Sequence, residues 1–293
     1  MFKEPLLSQR SLSVIRGCER VLAMPKQDVL IVHSRFQRSC NFISDQGEWL
    51  TLVINGVALP PAGMELATGF LPDDMQPGSR WLWHENTLVG PHCKIRLVDC
   101  QWQSTRLTAG QGLMPCLLPS LDHFLSFAPP VGGFWSQWHG EDHDYLLPPL
   151  TALQNWLGGA KVELGPVLTP LLGYGNGLTP SGDDFLLGIL FALEWTAFQG
   201  RDGFVAALLP LLTRTTEISA VMLKMGGAGH YGERLLQLVT AREQDVVSAI
   251  KNIADYGHSS GHDMLCGIRF VFLEGLQSCS SRSETDLPAC DGI

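Results

Sequence analysis

The sequence has no run of basic residues. Its 20 Lys and Arg stand against 29 Asp and Glu, a formal net charge of -9 over 293 residues. Binding along a phosphate backbone needs clustered cations, so nucleic acid is not an expected partner. A long apolar run is missing too. The most apolar stretch, Phe185 to Phe198, contains Glu194 and falls short of the roughly twenty residues a membrane span requires, so no membrane partner is expected. The eight cysteines form no C-x-x-C pair, and their spacing suggests neither a disulfide framework nor a zinc site. Most are flanked by apolar residues and read as small buried hydrophobes. The opening segment has no long apolar core and no small-residue cleavage site, so it does not read as a secretory signal. Together these absences point to the reducing cytoplasm.

The familiar phosphate loops and catalytic elbows are also lacking. Gly173-x-Gly175-x-Gly177 is not the dinucleotide fingerprint, and Pro166 and Pro170 interrupt the strand that should precede it. No Gly-Lys-Ser/Thr follows, and there is no G-x-S-x-G. His139-Gly-Glu-Asp-His143 is not H-E-x-x-H, and Gly140 weakens any helix there; it reads as an exposed polar loop.

What is present is 45% hydrophobic and 17% charged, ample for a folded core. The expected fold class is α+β, a β-rich N-terminal part followed by a mainly α-helical C-terminal part. Asp28 to Ser44 and Glu48 to Asn55 read as strands joined by a turn at Asp45-Gln46-Gly47. Lys94 to Gln103 alternates and reads as another strand, with short strands and loops over 56–92. Residues 126–149 mix Pro, Gly and Trp and read as the passage between two domains. Helical spacing then appears over Leu150–Leu157, Asp184–Phe198, Phe204–Met225, Tyr231–Ala241, Asp245–Tyr256 and Asp263–Gln277, with Pro210 splitting the third. The expected domains are 1–130, β-rich, and 131–277, helical, with a disordered tail over 278–293.

Two segments echo each other. Thr179-Pro-Ser-Gly-Asp-Asp-Phe-Leu-Leu-Gly-Ile189 is matched by His258-Ser-Ser-Gly-His-Asp-Met-Leu-Cys-Gly-Ile268 at Ser181/Ser260, Gly182/Gly261, Asp184/Asp263, Leu186/Leu265, Gly188/Gly267 and Ile189/Ile268. Each copy reads as a helix start with serine at the N-cap and aspartate three residues on, a capping box with Asp in place of Glu. Gly188 and Gly267 would let two helices cross closely. Well-capped core helices account for part of this pattern. The repetition, the extra glycines and the ionisable pair Asp183 and His262 go beyond it. Glycine-rich backbone before a helix N-terminus suits a small anion. The candidate binding residues are Gly175, Gly177, Thr179, Ser181, Gly182, Asp183, Ser259, Ser260 and Gly261. Arg38 and Asn41 of the early strands join them, although a structural asparagine and a surface arginine explain that pair equally well. The candidate catalytic groups are His258, His262, Asp184 and Asp263. No cofactor is expected. Mg²⁺ is an option if Asp183, Asp184 and Asp263 converge.

GNGLTPSGDDFLLGIL (175–190) and GHSSGHDMLCG (257–267) resemble the two signature segments of the AllH-type family of oxamate carbamoyltransferase subunits. The likeness extends to 32–53 and 213–233 and departs at Asn176, where many members carry proline. It implies carbamoyl transfer, in which oxalurate and phosphate give oxamate and carbamoyl phosphate, with other subunits as partners and a small anion as substrate. Two alternatives stay open: a non-catalytic scaffold or regulatory subunit, and a stand-alone Mg²⁺-dependent enzyme. The signatures contain no Arg or Lys, so cations for an anion would come from Arg38, Arg214, Lys224, Arg269 or a partner.

Overall fold

The computed structural model describes residues 10–25, 29–110, 114–127 and 129–282. The chain divides into two compact units. One is Met1–Arg106 with Tyr231–Arg234, and the other is Leu107–His230 with Leu235–Ile293.

The first unit is a β-barrel. Its strands are β1 (Arg10–Cys18), β2 (Val29–Arg35), β3 (Ser39–Ser44), β4 (Trp49–Val53), β5 (Gly63–Leu66), β6 (Arg80–His84), β7 (Thr87–Val89), β8 (Cys93–Arg96) and β9 (Gln101–Gln103), with a single helical turn α1 (Glu19–Leu22) after β1. The order is β5-β4-β3-β2-β6-β7-β8-β1-β9, and β1 also pairs with β5, Val14 opposite Leu66, which closes the sheet. Closure satisfies strand edges that would otherwise stay open. The turn at Asp45-Gln46-Gly47 joins β3 and β4 as the sequence suggests; Gly47 takes φ +79 there. Two expected strands are each broken in two. Asp28–Ser44 folds back at Phe36–Arg38, where Phe36 N donates to Ser39 O at 2.8 Å. Lys94–Gln103 turns at Asp99, whose φ of 59 ends the extended run. The core holds Val14, Val32, Phe42, Leu52, Trp81 and Ile95, all at or near full burial.

The segment Tyr231–Arg234 is tied into this unit. Glu233 Oε1 accepts from Arg16 Nη1 at 2.6 Å, and Oε2 accepts from Leu59 N at 2.9 Å. Arg16 Nε pairs with Glu65, which also accepts from Gly56 N at 2.6 Å.

The second unit is helical: α2 (Leu117–Ser126), α3 (Phe134–Trp138), α4 (His143–Leu157), α5 (Leu164–Leu168), α6 (Ser181–Trp195), α7 (Arg201–Leu208), α8 (Glu217–Gly227), α9 (Glu233–Thr240, shared with the first unit's segment), α10 (Val246–Ala254) and α11 (Ser260–Arg282). Pro210 divides the expected 204–225 helix, as its missing N–H requires; a 3-10 turn over Leu209–Arg214 separates α7 from α8. The helix α2 lies in a stretch where no helix was expected. Its apolar Leu117, Leu121 and Leu125 are buried. The helix α11 continues through 278–282, where the tail was expected to begin, and the rest of the expected tail, from 283 onward, lies outside the described residues. No helix among the described residues is long and apolar enough to cross a membrane. Cys18, Cys40, Cys93 and Cys266 are buried free thiols, and burial raises each of their pKa values.

Candidate functional site

The two echoed segments begin α6 and α11, and these helices pack on each other. A Cβ on Gly188 would stand 2.0 Å from Met264 O, and one on Gly267 would stand 2.1 Å from Phe185 O. Gly188 matches Gly267 and Phe185 matches Met264 in the echo. The contact is therefore isologous: what one helix does to the other is returned by its counterpart, as across a two-fold axis. The glycines after each serine also match. Gly182 N donates to Tyr174 O at 2.8 Å and Gly261 N to Tyr256 O at 2.9 Å. Each is pressed against backbone, Leu171 O for Gly182 and Ile253 O for Gly261.

The expected capping box is corrected by this geometry. The N-cap of α6 is Pro180, with φ -53 and ψ 144, and no side chain caps the helix. Asp184 N donates to Pro180 O and Asp263 N to Ser259 O, so each serine sits one residue inside its helix. Proline cannot cap through its side chain, and its fixed φ sets the entry of the chain instead. The side chains freed from capping face the other helix. Ser260, with Thr179, hydrogen-bonds Asp184. Ser181, with Ser259, hydrogen-bonds Asp263. Thr179 Oγ1 lies 3.0 Å from Ser260 Oγ, and Ser181 Oγ lies 3.4 Å from Gly132 O.

Asp184 is 5% exposed and Asp263 is 1% exposed. Burial pushes the Asp184 carboxyl well above the usual carboxylate range; the Ser260 hydroxyl opposes this, and the neighbouring Asp263 charge adds to it. Burial likewise raises Asp263, to about 6, against hydrogen bonds from Phe134 N, Ser181 and Ser259 and the nearby His258. The Phe134 N–H, at the start of α3, donates to Asp263 Oδ1 at 2.6 Å. Each carboxyl keeps one oxygen, Oδ2, buried with no hydrogen-bond partner. Orphaned buried oxygens of this kind are costly, and two together call for a ligand or a shared proton.

Asp183 is not part of this pair. Its Oδ1 accepts from Gly173 N at 2.7 Å, and its Oδ2 accepts from the Thr215 hydroxyl. It therefore ties the glycine loop to the segment before α8. Gly175 and Gly177 both have positive φ, +101 and +106, and Gly257 has +68. Those values admit glycine with little strain. His262 stacks on Phe124 with centroids 5.0 Å apart, and its Nδ1 is buried without a partner. Burial lowers its pKa, so the ring is neutral at pH 7. His258 is exposed.

Asn41 and Arg38 belong to the first unit. Asn41 Nδ2 donates to Ser34 Oγ at 3.0 Å, and its Oδ1 accepts from Thr51 at 2.8 Å, a closed structural network. Arg38 is exposed in the turn between β2 and β3. Of the other cations, Arg269 is engaged by Asp122 and lies over Trp135, while Arg214 and Lys224 are exposed. His139 and His143 turn Nδ1 onto Trp135 O and Trp138 O. No group of three or more His, Cys, Asp and Glu is arranged to hold a metal among the described residues. With both Asp183 oxygens engaged, the three aspartates do not fit Mg²⁺. The sequence reading missed Gly132, Gly133 and the Phe134 N–H. The Pro129-Pro-Val-Gly-Gly133 run is their signal, although by itself it reads as a connection.

A barrel followed by a helical unit with a duplicated, aspartate-bearing helix start defines the class: an α+β protein that builds one loop-into-helix device twice. The comparisons with known proteins divide the chain in the same way. A family model described as the AllH family N-terminal domain matches residues 11–103, and one described as oxamate carbamoyltransferase subunit AllH matches residues 171–272. The chain belongs to the AllH family. No solved structure matches it.

Proposed function

We propose that this chain is a subunit of a carbamoyl-transferring complex of the oxamate carbamoyltransferase type, converting oxalurate and phosphate to oxamate and carbamoyl phosphate. Its substrate site would lie where α6 and α11 begin. The supporting observation is the meeting of residues about 80 positions apart, Asp184 and Asp263, each buried with an oxygen left unpaired. Carbamoyl transfer passes through a charged tetrahedral state, and fixed N–H and hydroxyl donors stabilise such a state. Thr179, Ser181, Ser259 and Ser260 are the hydroxyls at hand, with backbone N–H groups at Gly182 and Gly261 already used within the fold. Neutral His262 and exposed His258 are the candidate proton carriers. The anionic end of the substrate requires a cation, and the partner subunits are its proposed source.

The test is reconstitution of the chain with its partner subunits and assay of carbamoyl phosphate formation. Asp184→Asn and Asp263→Asn are expected to lower the rate at least 100-fold while the complex still assembles. A second reading is favoured by the crosswise hydrogen bonds and glycine contacts: the same residues weld two helices in a non-catalytic scaffold. Unchanged turnover in both variants would select that reading.

A further inference from the structure

Oδ2 of Asp184 and Oδ2 of Asp263 are buried acceptors with nothing to accept. They sit on the two-fold-related helix starts, within each other's field. The remaining polar groups described around them are hydroxyls, a backbone N–H, a backbone carbonyl and, near Asp263, the exposed His258; the Arg and Lys side chains discussed above are engaged elsewhere or exposed. A carboxylate or phosphate brought here would meet these two acceptors and neither Arg nor Lys. A neutral planar group rich in N–H would meet the acceptors it needs. We propose that Asp184 and Asp263 hold the amide end of a small substrate, a primary amide or ureido group, by taking its N–H hydrogens on their two unpartnered Oδ2 atoms. This rests on the reading of the helix starts as a substrate site and reverses the expectation that they take an anion.

The balance of the contact is simple. No covalent bond changes; two N–H···O hydrogen bonds form. A pair of acceptors matches the N–H hydrogens of an amide and mismatches a carboxylate, which offers acceptors only. Discrimination by buried, unpaired polar groups is strong, because the wrong ligand leaves them unsatisfied.

Oxamate and oxalate test this directly, since they differ by an amide in place of a carboxylate. Calorimetric titration of the full chain at pH 7 should show oxamate binding at least tenfold more tightly than oxalate. In Asp263→Asn, and separately in Asp184→Asn, oxamate should weaken at least tenfold while oxalate stays level or tightens. The wild-type comparison stands even if a variant fails to fold. Oxalate binding as well as oxamate overturns the proposal in favour of an anion site, and so does binding of neither. Guanidinium chloride competing better than oxamate also overturns it, and would assign the pair to a partner's arginine. Amide preference without carbamoyl transfer in the reconstituted complex would keep this inference and remove the functional reading; transfer without amide preference would do the reverse.

Discussion

Asp263 carries its carboxyl at a cost. Burial raises the group from 3.8 to about 6. The protonated form is thus the one the fold prefers. That contribution is complete below pH 3.8 and is lost as the pH climbs through 6. A shift of this size corresponds to about 3 kcal/mol, so the cost of the charged form is small at pH 4 and fully felt at pH 8. Asp184 adds in the same direction. Asp263→Asn keeps an oxygen for the Phe134 N–H and removes the charge. It should therefore raise the stability read from urea unfolding at pH 8 by about 1–3 kcal/mol, with little change at pH 4. Coincident midpoints at pH 8 would mean the carboxylate is not strained by its surroundings. A stabilising substitution at a residue proposed to bind substrate is the usual mark of stability given up for function.

At the scale of elements, the crossing of α6 and α11 depends on two hydrogens. Gly188→Ala or Gly267→Ala places a methyl about 2 Å from a backbone oxygen of the facing helix. Backbone cannot rotate aside as a side-chain tip can, so each change should cost about 3 kcal/mol, read from chemical unfolding. Gly203, inside α7, has nothing within 4 Å of its would-be Cβ. Gly203→Ala should stabilise by about 0.5–1 kcal/mol, and a loss there would show that the space around it is not free. The elements themselves were largely legible in the sequence. The helical periods of α6, α10 and α11 fell within a few residues of their ends, because each carries its own apolar pattern. So did the doubled motif, because identical local needs select identical residues. The crosswise serines were not legible: Ser181 and Ser260 fit their own helix ends equally well, and only the approach of the second helix decides between the two. The strand β1 was missed for a related reason. Its pairing shifts register between Val14 and Arg16, which breaks the simple alternation. Asp183, read as one of three converging carboxylates, is claimed by Gly173 and Thr215, and nothing in its local sequence announces the second partner.

For the whole molecule, the segment Tyr231–Arg234 matters more than its length suggests. Glu233 meets a guanidinium, a backbone N–H and, through Arg16, the buried Glu65. Glu233→Ala leaves Leu59 N without that acceptor and Arg16 with one carboxylate in place of two. Because both side chains of the pair are partly exposed, at 27% and 17%, the expected loss is about 2 kcal/mol, below the figure for a fully buried pair. Thermal melts of the variant beside Glu233→Gln would check it, with the amide recovering part of the loss through the Leu59 contact.

The same segment sets an order of events during synthesis. The barrel strands end at Gln103, yet the residues that finish their hydrogen bonding arrive with Glu233. At about 5–20 residues per second, a nascent barrel waits on the order of ten seconds for that side chain. Through this interval Arg16 and Glu65 face each other with Glu233 still unmade. The first unit to be translated is therefore not completed when its strands end, and α6, which lies between, can form while the barrel is still unfinished.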